Sequence, residues 1–256
     1  MAPSLLVSAM TPAFLATLRN YPTLPRHSWY IIAASALTIL NRPDEIARVY
    51  SFAMERGSHG AELRPSQEDR LTISRRIREA LIKTSAVGGV PKTINSLLSL
   101  KQVTPEELLD EPGSPSPTGR PKDVYEVQSS EILERGRSFF DKIYGKIAKR
   151  IMGQMDRSGT EDLGLAARLV YGHILSNTSI LSPTETSFVL IAGLIPQDVN
   201  PQLKGHLRGA LNLGATVEEV RAVREVTVLI CDAFGMKRLA EDAVGGWGWR
   251  SEVANV

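Results

Sequence analysis

The sequence is short of the residues that build covalent and metal scaffolds. A single cysteine, Cys231, stands among 256 residues, and the four histidines are scattered at positions 27, 59, 173 and 206. One cysteine excludes a disulfide framework, a cysteine-based zinc site and a redox pair within one chain. The scattered histidines make no ligand cluster, so no metal site is expected. Nor is there a long apolar run. The longest, Tyr30 to Leu40, is too short for a bilayer, which needs about 20 apolar residues, so no membrane span is expected. Charge of one sign is not in excess either: 30 Lys and Arg face 28 Asp and Glu, a net charge of +2. That balance gives no electrostatic footprint for nucleic acid. Aromatics are only 6% of the chain, and strand-like alternation is almost missing.

What remains is 43% hydrophobic and 23% charged, the make-up of a globular protein with enough material for a core. Helix signals dominate. Ser182-Pro183-Thr184-Glu185 reads as an N-cap, a proline in the first turn and a capping-box glutamate. Thr216-Val217-Glu218-Glu219 and Thr104-Pro105-Glu106-Glu107 repeat the pattern. About eight to ten helices fit the length, given typical helices of about 11 or 12 residues. The stretch Asp110 to Asp123 is rich in Pro, Gly and Ser, which disfavours a regular element. It divides the chain into segments 1–109 and 124–256, with 110–123 as linker.

The two segments read as repeats of each other. Aligned without a gap from Ser28 and from Glu185, Pro43 falls opposite Asn200, Ile46 opposite Leu203, Ala53 opposite Ala210 and Gly57 opposite Gly214. Each is an apolar helix, a polar break, and an amphipathic helix ended by glycine. A third helix follows in both, IREALIKTSAVGG from Ile77 and VREVTVLICDAFG from Val223. The register shift places an insertion in the first segment, around Ser58 to Asp69. The fold class expected is therefore all-α: tandem duplicated helical units packed as one bundle.

His206 shares a helix face with Leu203, Ala210 and Leu213. Two readings stay open for it. It is a core histidine bonded to a carbonyl, or a partly desolvated imidazole that takes and gives a proton near neutral pH. Gln202, one turn earlier, is placed to orient a small-molecule substrate. Arg75, Arg76 and Arg78, with Lys83 beyond them, crowd the first segment's third helix. Arg76 and Arg78 are candidates for holding a carboxylate, since guanidinium does so bidentately; the alternative is a solvated charge run. Tyr171 and His173 are two apart on a helix, so at most one faces a given cavity. Glu185 is a possible partner to His206 beside its capping role. Trp247 and Trp249 lie in a glycine-rich tail expected to dock on this chain's core or another subunit.

The segment QLKGHLRGALNLGATVEEVRAV, Gln202 to Val223, resembles the second-helix signature of the carboxymuconolactone decarboxylase family: Gln202, Leu203, His206, Ala210, Leu211, Gly214, Thr216, Glu218 and Glu219 fit its pattern. The duplicated arrangement is similar to that of two-repeat fungal members. The related alkylhydroperoxidase D branch has cysteines seven and four residues before the histidine, which here are Val199 and Gln202. The resemblance thus implies the cofactor-free decarboxylase branch, with His206 as acid/base on a small carboxylic or lactone substrate. A non-catalytic interaction or scaffold subunit is the alternative, and a hydroperoxide reductase is disfavoured. It further implies a homo-oligomer, a dimer or trimer.

The first acidic residue is Asp44, after Arg19, Arg26 and Arg42. Such a start reads either as a mitochondrial presequence or as an N-terminal helix over Pro12 to Asn20. The final Ala-Asn-Val differs from the SKL-type peroxisomal address. The expected location is intracellular, cytoplasmic or alternatively mitochondrial.

Overall fold

A computed structural model describes residues 8–56, 66–110, 112–240 and 242–256. It is all-α: among the described residues the only strand pairing joins β1 (Lys237–Arg238) to β2 (Gly248–Trp249). The centre holds α2 (Trp29–Ile39) and α10 (Pro183–Leu194). Every residue of α2, and of α10 from Thr186 on, is buried, as expected of helices that are apolar all round. In α2 the hydroxyls this brings into the core donate back along the helix, Ser35 to the Ile31 carbonyl and Thr38 to that of Ala34; in α10 the buried Ser187 hydroxyl has no partner.

The repeat read from the sequence is realised. The first unit is α2, α3 (Pro43–Arg56) and α4 (Gln67–Gly88); the second is α10, α11 (Asn200–Asn212) and α12 (Val217–Ala233). They interlock: α2 crosses α10, α4 packs on α10, and α12 packs on α2. One hydrophobic core runs through both units, from Ile31 and Ile77 to Ile191 and Ile230. No unit could bury its apolar surface alone. The expected insertion falls mostly on 58–65, outside the described residues, as does Gly57. Its counterpart Gly214 ends α11 with φ of +97°, a left-handed position that favours glycine.

The capping boxes at Ser182–Glu185 and Thr216–Glu219 form as read. The one at Thr104 does not. α5 (Val90–Val103) runs up to it, and the Thr104 hydroxyl donates to the Leu100 carbonyl at that helix's end. Only a 3₁₀ turn, Glu106–Leu108, follows. The linker is also more ordered than its composition implies. Its last residues open α6 (Arg120–Tyr125), where Pro121 suits a first helical turn. Asp110 accepts from Arg75 and Arg78, and the Thr118 carbonyl accepts from Asn177.

The chain between the units is cut into α7 (Ser129–Tyr144), α8 (Ala148–Met155) and α9 (Asp162–Leu169), which runs on into a π-helical segment, Val170–Leu175. These short pieces raise the number of helices above the eight to ten expected. α1 (Pro12–Arg19) is capped by Thr11 and buries Leu15 and Leu18, so the part of the N-terminal region from Thr11 on belongs to the fold. Trp249 docks on this chain's own core and donates its indole N–H to the Ile195 carbonyl; Trp247 is half exposed.

Candidate functional site

α11 brings glycines to its contact with α7. A side chain in place of Gly209 would collide with Ile143, and one in place of Gly205 would press on the Tyr144 ring. α7 therefore lies close, and Tyr144 at its end reaches His206, its hydroxyl 3.2 Å from Nε2. The same hydroxyl is 3.1 Å from that of Tyr171 in the π segment. That second approach also depends on glycine, because Gly136 of α7 abuts the Gly172 backbone too closely for any side chain. Phe140 packs on both tyrosine rings, with centroids 4.5 and 4.8 Å away.

Burial sets the protonation of this line. It pulls the His206 imidazole down to about 4, so the ring is neutral at physiological pH. It pushes both phenols up, Tyr171 further with the neighbouring Tyr144 adding to the effect. All three groups are neutral, and the Tyr144 hydroxyl is shared. It donates to Nε2 while accepting from Tyr171, or accepts from Nε2–H while donating to Tyr171. The line thus has two directions, linked to the two imidazole tautomers. In either direction Nδ1 of His206 is buried without a hydrogen-bond partner.

Tyr171 also lines a groove of about 960 Å³ between α7, α8 and the α9–π helix. Its apolar surface comes from Leu133, Phe140, Ala148, Met152 and the Tyr171 ring. Its charged residues include two arginine–carboxylate pairs, Arg168 with Asp156 and Arg137 with Glu134.

A buried charged cluster holds the π segment in place. Lys83 Nζ donates to the Leu175 and Asn177 carbonyls at 2.8 and 2.7 Å and stands 3.6 Å from Glu79. Glu79 takes both arms of Arg120, whose guanidinium also donates to the His173 and Ile174 carbonyls. Arg135 adds a bond to the Gly172 carbonyl. Burial draws the Lys83 ammonium down to about 8 against the opposing pull of Glu79. The carbonyls of a π segment lack some regular partners, and here cations from two helices and the linker's end supply them.

Of the residues singled out in the sequence, the structure joins His206 and Tyr171, through Tyr144. Gln202 is exposed. Arg76 is spent on Glu185, the Tyr30 hydroxyl and the His27 carbonyl, and Arg78 on Asp110 and the Leu108 carbonyl. Glu185 therefore pairs with Arg76 rather than with His206, and caps α10 as well. His173 is partly buried, its Nδ1 without a partner. Cys231 is buried in α12 and its thiol is pushed far up, the opposite of an activated thiolate. Tyr144 is not among the residues that the sequence singles out. The one trace of it was the aromatic spacing Phe140–Tyr144 on α7.

No protein-family model matches the chain. Two relatives do. Peroxisomal protein 2 of Schizosaccharomyces pombe is 38% identical over 208 residues, covering 81% of this chain and 87% of the relative. Peroxisomal protein 2 of Saccharomyces cerevisiae is 30% identical, covering 82% and 90%. These relatives overturn the expected decarboxylase function, because neither carries such a name. Much of the motif behind that expectation works in folding: Thr216 and Glu219 cap α12, Leu203 and Ala210 fill the core, and Gln202 faces solvent. The cytoplasmic and mitochondrial expectations are corrected by the same names, which both point to the peroxisome. With two such relatives matched over more than four fifths of its length, the chain belongs to the Peroxisomal protein 2 family.

Proposed function

We infer that this chain is a peroxisomal protein that binds a small molecule in the groove between α7, α8 and the π segment. The compartment is taken from the names of the two relatives. The binding reading rests on one observation: Tyr171 sits in the groove wall and begins a hydrogen-bonded line that ends at a buried histidine with an unpartnered Nδ1. Buried polar atoms are normally satisfied, and a line that can reverse its direction can answer either a donor or an acceptor. The helical units are further proposed to be of the carboxymuconolactone decarboxylase type, on the motif Gln202 to Glu219 and the duplication; that likeness brings fold and no activity.

Two measurements test this. A fluorescently tagged full chain should co-distribute with a peroxisomal marker in a fungal cell, and a diffuse or mitochondrial pattern would refute the compartment. Fragments found by NMR screening to bind the groove should shift the His206 ring signals in the wild type and lose that effect in Tyr144→Phe. If groove binders leave His206 untouched in the wild type, the line plays no part in recognition.

A further inference from the structure

We propose that the groove selects an amphipathic monoanion, with an apolar body of about ring size against Phe140, Met152 and Tyr171 and one acid group at the rim on Arg157 and Lys149. The proposal rests on the groove being a ligand site and adds the chemical class of the ligand. The volume of about 960 Å³ lies within the range of about 300–1,000 Å³ usual for small-molecule sites. Its lining combines aromatic and methionine surface with a few charges, the composition such sites use to hold a body and fix a head.

The charges decide the sign of the head. Seven charged side chains line the groove. Asp156 accepts from both arms of Arg168. Glu134 accepts from both arms of Arg137, which also reaches Asp141. The three carboxylates are therefore engaged. Lys149 and Arg157 enter no salt bridge among the described residues, and the lining as a whole, with four cations and three carboxylates, has one positive charge in excess. Arg157 is exposed yet folds back across Gly153 of α8, where a side-chain carbon would meet its guanidinium at 3.2 Å. Its planar donor fork thus lies over the groove wall, suited to a carboxylate or sulfonate. One positive charge in excess matches a single negative charge on the ligand.

The test uses the full chain and two fluorescent probes that share one ring body. 8-Anilinonaphthalene-1-sulfonate is the anion and N-phenyl-1-naphthylamine its uncharged analogue. The anionic probe should bind saturably at one site per chain and more tightly than the neutral one. Joint replacement Lys149→Gln and Arg157→Gln should weaken the anion at least about tenfold and the neutral probe less than about twofold. Met152→Trp, which fills the groove, should weaken both at least about tenfold; Gly153→Leu replaces it if its thermal unfolding is no longer cooperative. Equal affinity of the two probes for the wild type, or an unchanged anion affinity in the double variant, overturns the anion and leaves the groove standing. Absence of binding, or binding untouched by the filling variants, overturns the groove itself.

Discussion

The two helical units share a plan and differ in what they do with one helix face. Arg78 of α4 and Arg224 of α12 occupy matching positions. Arg78 donates to the Leu108 carbonyl, Arg224 to those of Val253 and Ala254. In each unit, then, an arginine on the third helix straps down the chain that follows it. One residue further, Glu79 and Glu225 also match, but their surroundings diverge. Glu79 is buried between Lys83 and Arg120, while Glu225 is exposed and takes the Tyr21 hydroxyl. Lys83 is wholly buried; its counterpart Leu229 lies at the surface. A second difference runs the other way, for Val49 is an ordinary core residue where the second unit has His206. The duplication keeps the residues that close each unit and varies those facing the inserted α6–α9 layer. The layer is clamped by the first unit's charges and addressed by the second unit's histidine.

The two units should differ most at the clamp. Lys83→Met removes the donor from two buried carbonyls and leaves Glu79 with Arg120 alone. Breaking a buried charged cluster costs about 3–5 kcal/mol, and urea unfolding should show a loss of that size. Leu229→Lys, the reciprocal change at an exposed position, should stay within about 0.5 kcal/mol. Similar effects at both positions would mean that the clamp does not distinguish the units.

Much of this architecture was legible in the sequence, and the reason is locality. Caps at Ser182 and Thr216, the apolar faces of α2 and α10, and the glycine at 214 are each specified by neighbours within one or two turns. The repeat was visible because two such local patterns recur in the same order. The site was legible only in part. His206 stood out by its apolar face, but its partners lie 62 and 35 residues earlier in the chain, and nothing local ties Tyr144 or Tyr171 to it. The clamp was hidden for another reason. Glu79 and Lys83, four apart on a helix, look the same whether they face water or a layer packed over them. The π segment, which aims Tyr171, has no sequence signature of its own.

A smaller effect follows from moving the histidine. Val49→His places an imidazole at a position with no exposed surface. An unsatisfied buried polar group together with its extra bulk should cost about 3 kcal/mol. Denaturant midpoints measure it. A loss under about 1 kcal/mol would show that the first unit already holds a site able to accept a histidine, and the contrast between the units would narrow to a single substitution.

The smallest effect is the pH signature of His206, and its sign is fixed by burial. The folded ring titrates at about 4, below the ordinary 6.5. Between those values the unfolded chain binds a proton that the folded chain excludes, so stability falls as pH drops below about 6.5 and stops falling through this group near 4. From pH 7 to pH 5 the loss should be about 2 kcal/mol. Other groups titrate in the same window, so the quantity to measure is the difference between wild type and His206→Val, which gives the second unit the first unit's residue. The variant should be the less stable at pH 7, where Tyr144 loses its partner, and should lose that disadvantage as the pH approaches 5. Parallel stability curves would mean that the His206 ring accepts its proton inside the folded protein, through Tyr144 or the unpartnered Nδ1. The units would then differ in a group open to protons, and not in a neutral core residue.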